Sequence, residues 1–321
     1  MSKVIRWGVL GASKFASEQM APAIHAARDA KLLTLATSDP AKAAPFQAFC
    51  PDLKLHESYD ALLTDPDVDA VYIPLPNHLH VEWSKKAIAA GKHVLCEKPM
   101  TMEASQFDEL IALRDQSGLV VAEAYMIVHH PQWQRARALV AEGAIGKLCH
   151  VDAVFAYNNA ADTGNIRNRP ETGGGSVPDI GVYPYGATRF VSGEEPESVT
   201  ADITRENGVE VTARVTARFP GFNYMGVTSM RMALRQEITF HGDEAFMRVS
   251  APFNAGSYGE ARLEIYRGAE AVLIERFPAA AQYVNQVEAF GAAVRGEAAY
   301  PCPLEFSKGT QAMIDMVWSA E

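Results

Sequence analysis

Cysteine is scarce in this chain, and its placement excludes more than its number. The four residues, Cys50, Cys96, Cys149 and Cys302, form no CxxC pair, so neither a disulfide framework nor a cysteine zinc site is indicated. Basic charge is also short, with 29 Lys and Arg against 39 Asp and Glu and a net charge of −10. With no Lys/Arg run and no basic patch interleaved with aromatics, nothing attracts nucleic acid or an anionic membrane. No stretch approaches the roughly 20 apolar residues of a membrane span. The opening MSKVIRWGVLG passes into a strand-like run without a charged-then-apolar signal region. These absences lead us to expect a soluble protein of a reducing compartment, the cytoplasm. What remains is ordinary globular material, 48% hydrophobic and 21% charged over 321 residues, enough for two domains with sizeable cores.

The order of elements predicts the fold class. Strand-like runs cover residues 4–10, 32–37, 69–75, 92–96 and 119–124, and helix-like stretches lie near 14–28, 40–49, 57–63, 79–90 and 103–116. Nearly continuous apolar strands alternating with helices read as a parallel sheet covered on both faces, the doubly wound α/β pattern of a Rossmann domain. After a helix near 131–141 the rhythm changes. Residues 147–157 read as a long strand, strand-like runs fill 197–275, and the last forty residues return to helix. VTARVTARF at 211–219 alternates apolar and polar residues, as a half-buried antiparallel strand does. The expected division is a dinucleotide-binding domain over 1–124 and an α+β domain with a mostly antiparallel sheet over 125–321.

Between the first strand and first helix stands Gly8-Val9-Leu10-Gly11-Ala12-Ser13-Lys14-Phe15-Ala16. A glycine-rich turn opening a helix presents free N–H groups and the positive end of the helix dipole to a pyrophosphate. Gly11 is in place, but Ser13 holds the middle glycine position and Ala16 the third. A plain strand-to-helix turn is the alternative; the place of this loop at the head of a βαβαβ run favours cofactor binding. At the second strand's end, Ala36-Thr37-Ser38-Asp39-Pro40 carries no acid at the tip to take a ribose 2′-hydroxyl. Thr37, Ser38 and Lys42 can serve a 2′-phosphate, whereas Asp39 is expected to cap the helix after Pro40. The cofactor is thus NAD(P), leaning to NADP.

Two further segments follow strands, on the carboxyl edge where open α/β sheets hold ligands: Pro74-Leu75-Pro76-Asn77-His78-Leu79-His80 and Glu97-Lys98-Pro99. Lys-Pro can take the cis form used in tight turns, which would fix Lys98 at the sheet edge; a solvated loop lysine is the plainer reading. A third segment, Gly173-Gly174-Gly175-Ser176-Val177-Pro178-Asp179-Ile180-Gly181-Val182-Tyr183, opens a helix with Pro178 in its first turn. Asp179 and Tyr183, four apart, are predicted to share one helix face, and Pro184 to kink it. A carboxylate and a phenol opposite a fixed lysine can bind a hydroxylated carbon and move its proton. Alone, Asp179 also reads as a helix-start residue facing the dipole.

In order and spacing, GVLGASKFA, YIPLPNHLH, CEKP, EAYMIVHHPQ, NIRNRPETGGG and DIGVY resemble the Gfo/Idh/MocA family along the whole chain, closest to its dihydrodiol dehydrogenase and NADP-dependent xylose dehydrogenase branch. The resemblance implies an NAD(P)-dependent dehydrogenase or reductase of sugars, polyols or related diols. It also implies a C-terminal domain that binds substrate and whose open sheet supports a homodimer or higher homo-oligomer. It assigns Lys98, Asp179 and Tyr183 to catalysis and to substrate binding, with Tyr125 lining the substrate pocket and Arg167 reaching the nicotinamide or the substrate. The cofactor would fall to Gly11, Ala12, Ser13, Lys14, Phe15, Thr37, Ser38, Lys42, Pro74, Pro76, Asn77, His80, Glu97 and Lys98. Two departures stand out: the family's Ser-Arg after the second strand is Thr37-Ser38, and its Tyr-Arg-Phe-His-Pro is Ile127-Val128-His129-His130-Pro131. His129 and His130 are expected at a helix start and no metal site is expected. Glycoside hydrolysis on tightly held NAD, and a non-catalytic dinucleotide-binding regulator, are the rival readings.

Overall fold

The structure is a computed structural model, described over residues 2–320. The chain divides into two compact units, Met1–His129 with Ala281–Lys308, and His130–Ala280 with Gly309–Glu321.

The first unit holds a parallel sheet of six strands among the described residues: β1 (Ile5–Leu10), β2 (Ala30–Ala36), β3 (Lys54–His56), β4 (Ala70–Ile73), β5 (His93–Cys96) and β6 (Val121–Glu123). Their order is β3-β2-β1-β4-β5-β6, the doubly wound arrangement whose switch point lies between β1 and β4. The central strands are mostly apolar because helices cover both faces; every residue of β4 is buried, and in β1 only Arg6 is partly exposed. The connecting helices are α1 (Ala21–Ala26), α2 (Ala44–Gln47), α3 (Tyr59–Leu63), α4 (His80–Ala89) and α5 (Gln106–Ser117). Five strands match the sequence reading to within a few residues. β3 escaped it because Lys54-Leu55-His56 is largely exposed and presents no apolar run.

The division differs from the one expected at 124/125. It falls at His129, and residues 281–308 return to the first unit. The cause is α8 (Gln282–Val294), whose Val287 and Phe290 join the core of the first sheet. Phe290 lies 5.0 Å from Trp7 of β1, ring centre to ring centre.

The second unit is built on an eight-stranded sheet: β7 (Leu148–Asn158), β8 (Ser198–Glu206), β9 (Val209–Phe219), β10 (Phe222–Ser229), β11 (Arg231–Gly242), β12 (Phe246–Val249), β13 (Arg262–Arg267) and β14 (Glu270–Arg276). The order is β14-β13-β12-β11-β7-β10-β9-β8. The β7–β10 pair is parallel, and the remaining pairs are antiparallel. Along the second half of β9, buried and exposed residues alternate, the mark of a sheet with one covered face. On this sheet Met225, Leu234, Val272 and Ile274 stay at least half exposed. Helices α6 (Pro131–Ala141) and α7 (Val182–Ser192) belong to this unit, and α9 (Leu304–Ser319) closes the chain. Trp133 of α6 stacks on Phe253 and donates its indole N–H to the Pro252 carbonyl at 2.7 Å. Among the described residues no helix is long and apolar enough to cross a membrane.

Candidate active site

In the first unit the loop after β1 turns at Gly11, whose φ of +108° suits glycine alone. A Cβ there would press on Leu75 Cδ2 at 3.0 Å and the Tyr59 hydroxyl at 3.3 Å. The helix that follows begins as a π-turn, Ala16–Met20. Ser13 Oγ accepts the Ala16 N–H at 3.1 Å, so its first duty is to cap that turn. The first N–H groups of a helix lack intrahelical partners; at this end Lys14 and Phe15 are exposed and Ala12 and Ser13 half-buried. Gly11 is itself buried, with Leu75 and Tyr59 where its Cβ would stand, so the residues at this turn that could meet a pyrophosphate are the ones that follow it, Ala12 to Phe15.

At the tip of β2, Asp39 caps the next turn through the Ala41 N–H at 3.1 Å, as its place before Pro40 predicts. Thr37 is buried, and its hydroxyl bonds the backbone of Asp39, donating to the carbonyl at 3.1 Å and accepting from the N–H at 3.2 Å. Of the three candidates for a 2′-phosphate, Ser38 and Lys42 are the exposed ones.

The carboxyl ends of β4 and β5 are tied together. His80 is fully buried, with Nδ1 2.7 Å from the Pro99 carbonyl oxygen and Nε2 2.7 Å from that of Leu75. Burial pushes its pKa down to about 4, so at neutral pH one ring nitrogen donates, and only protonation would satisfy both carbonyls. His80 therefore holds the loops; both of its polar atoms are engaged with backbone rather than directed at a cofactor. Pro74 is buried as well, while Pro76 and Asn77 are partly exposed. The Lys98–Pro99 bond is cis, and Lys98 is partly exposed. Its neighbour Glu97 accepts from the Tyr72 hydroxyl at 2.6 Å and from the Lys98 N–H at 3.3 Å. Burial, with some help from Glu123, raises the Glu97 carboxyl to about 6 against the pull of Tyr72 and Lys98. Glu123 in turn receives the Met100 N–H at 2.8 Å. Tyr125 is 1% exposed and packs on Phe306. His130 is the N-cap of α6, and His129 bonds the Tyr300 hydroxyl at 3.1 Å. Burial pushes both imidazoles down, to about 3 for His129 and about 4 for His130.

In the second unit Asp179 and Tyr183 lie where a π-turn, Val177–Gly181, runs directly into α7. The glycines before it make room. Gly174 sits against the Arg167 and Arg169 carbonyls, and Gly175 has a φ of +128° with the Glu210 carboxylate where a Cβ would stand. Glu210 of β9 is buried; it accepts from the Val177 N–H and the Trp318 indole at 3.4 Å, and so anchors the start of the segment. The Asp179 carboxylate is gripped at Oδ2 by Arg167 Nε at 2.8 Å and by the Tyr157 hydroxyl at 2.7 Å. Arg167, expected near the nicotinamide or the substrate, thus pairs with Asp179. Tyr183 is 7% exposed, its ring held between Phe155 and Phe253 at centroid distances of 5.6 and 5.7 Å. Sequence reading missed Tyr157, Glu210 and both π-turns. Two of the omissions carried a signal: Phe155 and Tyr157 are two apart on a strand and share a face, and Glu210 is an acid set between two valines, Val209 and Val211.

The comparisons agree with this architecture. Residues 5–125 match the model of the oxidoreductase family with an NAD-binding Rossmann fold, GFO_IDH_MocA, and 133–248 match the GFO/IDH/MocA C-terminal domain. The chain is 35% identical to a dTDP-3,4-didehydro-2,6-dideoxy-alpha-D-glucose 3-reductase of Streptomyces antibioticus, over 91% of this chain and 89% of that one. It is 32% identical to a D-xylose 1-dehydrogenase (NADP(+)) of Haloferax volcanii, over 90% and 88%. A solved 3-ketoreductase from Actinomadura kijaniata, in complex with NADP and TDP-benzene, superposes with a TM-score of 0.89 at 30% identity, covering 98% of this chain and 97% of its own. The chain belongs to the Gfo/Idh/MocA family of NAD(P)-dependent oxidoreductases.

Proposed function

We propose that this enzyme interconverts a carbinol and a carbonyl carbon of a sugar, polyol or related diol. The nicotinamide cofactor, NADP by preference, supplies or accepts the hydride. Gly11, Ala12, Ser13, Lys14 and Phe15 take the pyrophosphate, and Ser38 and Lys42 the 2′-phosphate. Pro76, Asn77 and Glu97 border the nicotinamide side. Tyr183 exchanges the substrate hydroxyl's proton, Lys98 stabilises the alkoxide oxygen, and Asp179 accepts a substrate hydroxyl as a fixed anion. The observation that carries the reading is the position of Lys98 directly after β5, on the carboxyl edge where open α/β sheets hold their ligands. NADP is supported by the absence of an acid at the tip of β2 and by the NADP named with two relatives.

The site of action is the cytoplasm, in keeping with a chain whose few cysteines form no CxxC pair. A homodimer is expected through the exposed apolar row of the second sheet. The test is fluorescence titration with NADPH and NADH, followed by turnover of aldoses, polyols and dTDP-linked keto sugars. Lys98→Ala and Tyr183→Phe should each lower turnover by about 100-fold or more with cofactor affinity retained. Near-normal rates in both variants, or no binding of either dinucleotide, would refute the assignment. Binding without turnover on any of these substrates would favour a regulator.

A further inference from the structure

We infer that Tyr157 is a positioning residue for the reaction, fixing the Asp179 carboxylate from the same strand face that fixes the ring of Tyr183. The inference rests on the roles given above to Asp179 and Tyr183.

Successive side chains of a strand point to opposite faces, so Phe155 and Tyr157 of β7 project together. Phe155 packs on the Tyr183 ring and stacks on Phe253 at 5.1 Å, with 12° between the planes. Tyr157 reaches Asp179 Oδ2 at 2.7 Å. One rigid strand, hydrogen-bonded on both sides to β10 and β11, thereby addresses both residues of the segment that turns from π into α. A side chain on a π-turn is not placed by ordinary helix geometry, and an external contact has to set its direction.

The ring and the hydroxyl of Tyr157 have separable tasks. The ring packs against Val209, Val211 and Met230, while the hydroxyl makes the bond to Asp179. Burial and the neighbouring Asp179 hold the phenol well above its usual range, so it remains a donor across the working pH. Oδ2 also receives Arg167, and two donors on one oxygen stop the carboxylate from rotating. Arg167 is itself held in place: its turn, Ile166–Asn168, is tied through the Asn168 side chain to Arg231 at 3.2 Å. Arg231 also binds the Asn159 side chain at 2.8 Å and Glu206 at 2.7 Å. Opposite Tyr157 the β7–β11 register jumps from Asn158↔Arg231 to Ala156↔Arg235, and Arg231 stands at the edge of that irregularity.

The experiment is a double-mutant cycle on the full-length enzyme, Tyr157→Phe, Asp179→Asn and both together. It is read as kcat/KM and as single-turnover hydride transfer, which resolves rates too slow for the steady state. The Phe variant keeps the ring, so melting temperature and NADPH affinity should stay at wild-type values. Its kcat/KM should fall about tenfold, as loss of a hydrogen bond to a charged group does. In the Asp179→Asn background the same change should cost less than about twofold, because the negative charge that Tyr157 holds in place has gone. Wild-type kcat/KM in Tyr157→Phe, or an equal loss in both backgrounds, overturns the inference. An Asp179→Asn enzyme with wild-type turnover overturns the role of Asp179 and the inference with it. An impaired Asp179→Asn beside an unimpaired Tyr157→Phe removes the inference alone.

Discussion

Gly175→Ala tests how the segment bearing Asp179 is held, and its cost can be worked out before measurement. A side chain at φ +128° pays backbone strain of roughly 1–3 kcal/mol. The new Cβ also overlaps the Glu210 carboxylate, which is buried and cannot swing into water without dropping the Val177 N–H and the Trp318 indole. Losing hydrogen bonds to a buried charge costs about 1.5–3 kcal/mol, so the total is about 4 kcal/mol. For a unit of this size each kcal/mol moves the melting temperature by roughly 2–4 °C, giving a drop of about 8–16 °C. Gly143→Ala is the control: its φ is +74°, yet nothing lies within 4 Å of the added methyl. It pays strain alone, roughly 1–2 kcal/mol. Differential scanning calorimetry of the two variants separates the terms. A Gly175→Ala enzyme melting within about 2 °C of Gly143→Ala would show that Glu210 does not hold this turn, and the account of the segment would fail.

Glu97 carries a pH prediction. Its carboxyl is raised from 4.5 to about 6, so its contribution to stability is present below about pH 4.5 and is lost as pH rises through about 6, by at most about 2 kcal/mol. Glu97→Gln should remove that decline, and parallel melting curves for variant and wild type between pH 4.5 and 7 would contradict the shift. Phe290→Ala empties a site beside Trp7 and should destabilise the first unit by about 3–5 kcal/mol, seen as loss of NADPH binding on mild heating; an effect confined to the second unit would contradict the division. Lys42→Ala should weaken NADPH binding by about tenfold and leave NADH unchanged. An equal loss for both dinucleotides would remove Lys42 from the 2′-phosphate.

Much of the fold is legible in the sequence because its elements obey local rules. β1, β2, β4 and β5 are apolar runs buried on both faces, and their spacing by helices admits one kind of sheet. β3 has no such run and exists by pairing with β2, from Thr34↔Lys54 to Ala36↔His56. The domain boundary illustrates a different limit. A helix at 282–294 can be read from its pattern, but its docking partner, Trp7, lies near the other end of the chain, and no local pattern reports contacts at that separation.

The candidate site divides along the same line. Lys98, Asp179 and Tyr183 are visible because their neighbours punctuate the chain with proline and glycine, whose backbone demands are local. The groups that aim them are invisible because each acts from another element: His80 through two carbonyls, Tyr157 and Arg167 through a single carboxylate oxygen, Glu210 through the start of the segment. The two π-turns sharpen the contrast. Four residues of ordinary helix would place Asp179 and Tyr183 on one face, but Val177–Gly181 is wound more loosely, so helical period alone does not set the directions of the two side chains. Both are met from β7, where Phe155 and Tyr157 stand two apart and each touches one of the pair. The candidate residues stand beside proline and glycine, which mark them in the sequence, whereas the side chains that meet Asp179 and Tyr183 stand in a strand with no such punctuation.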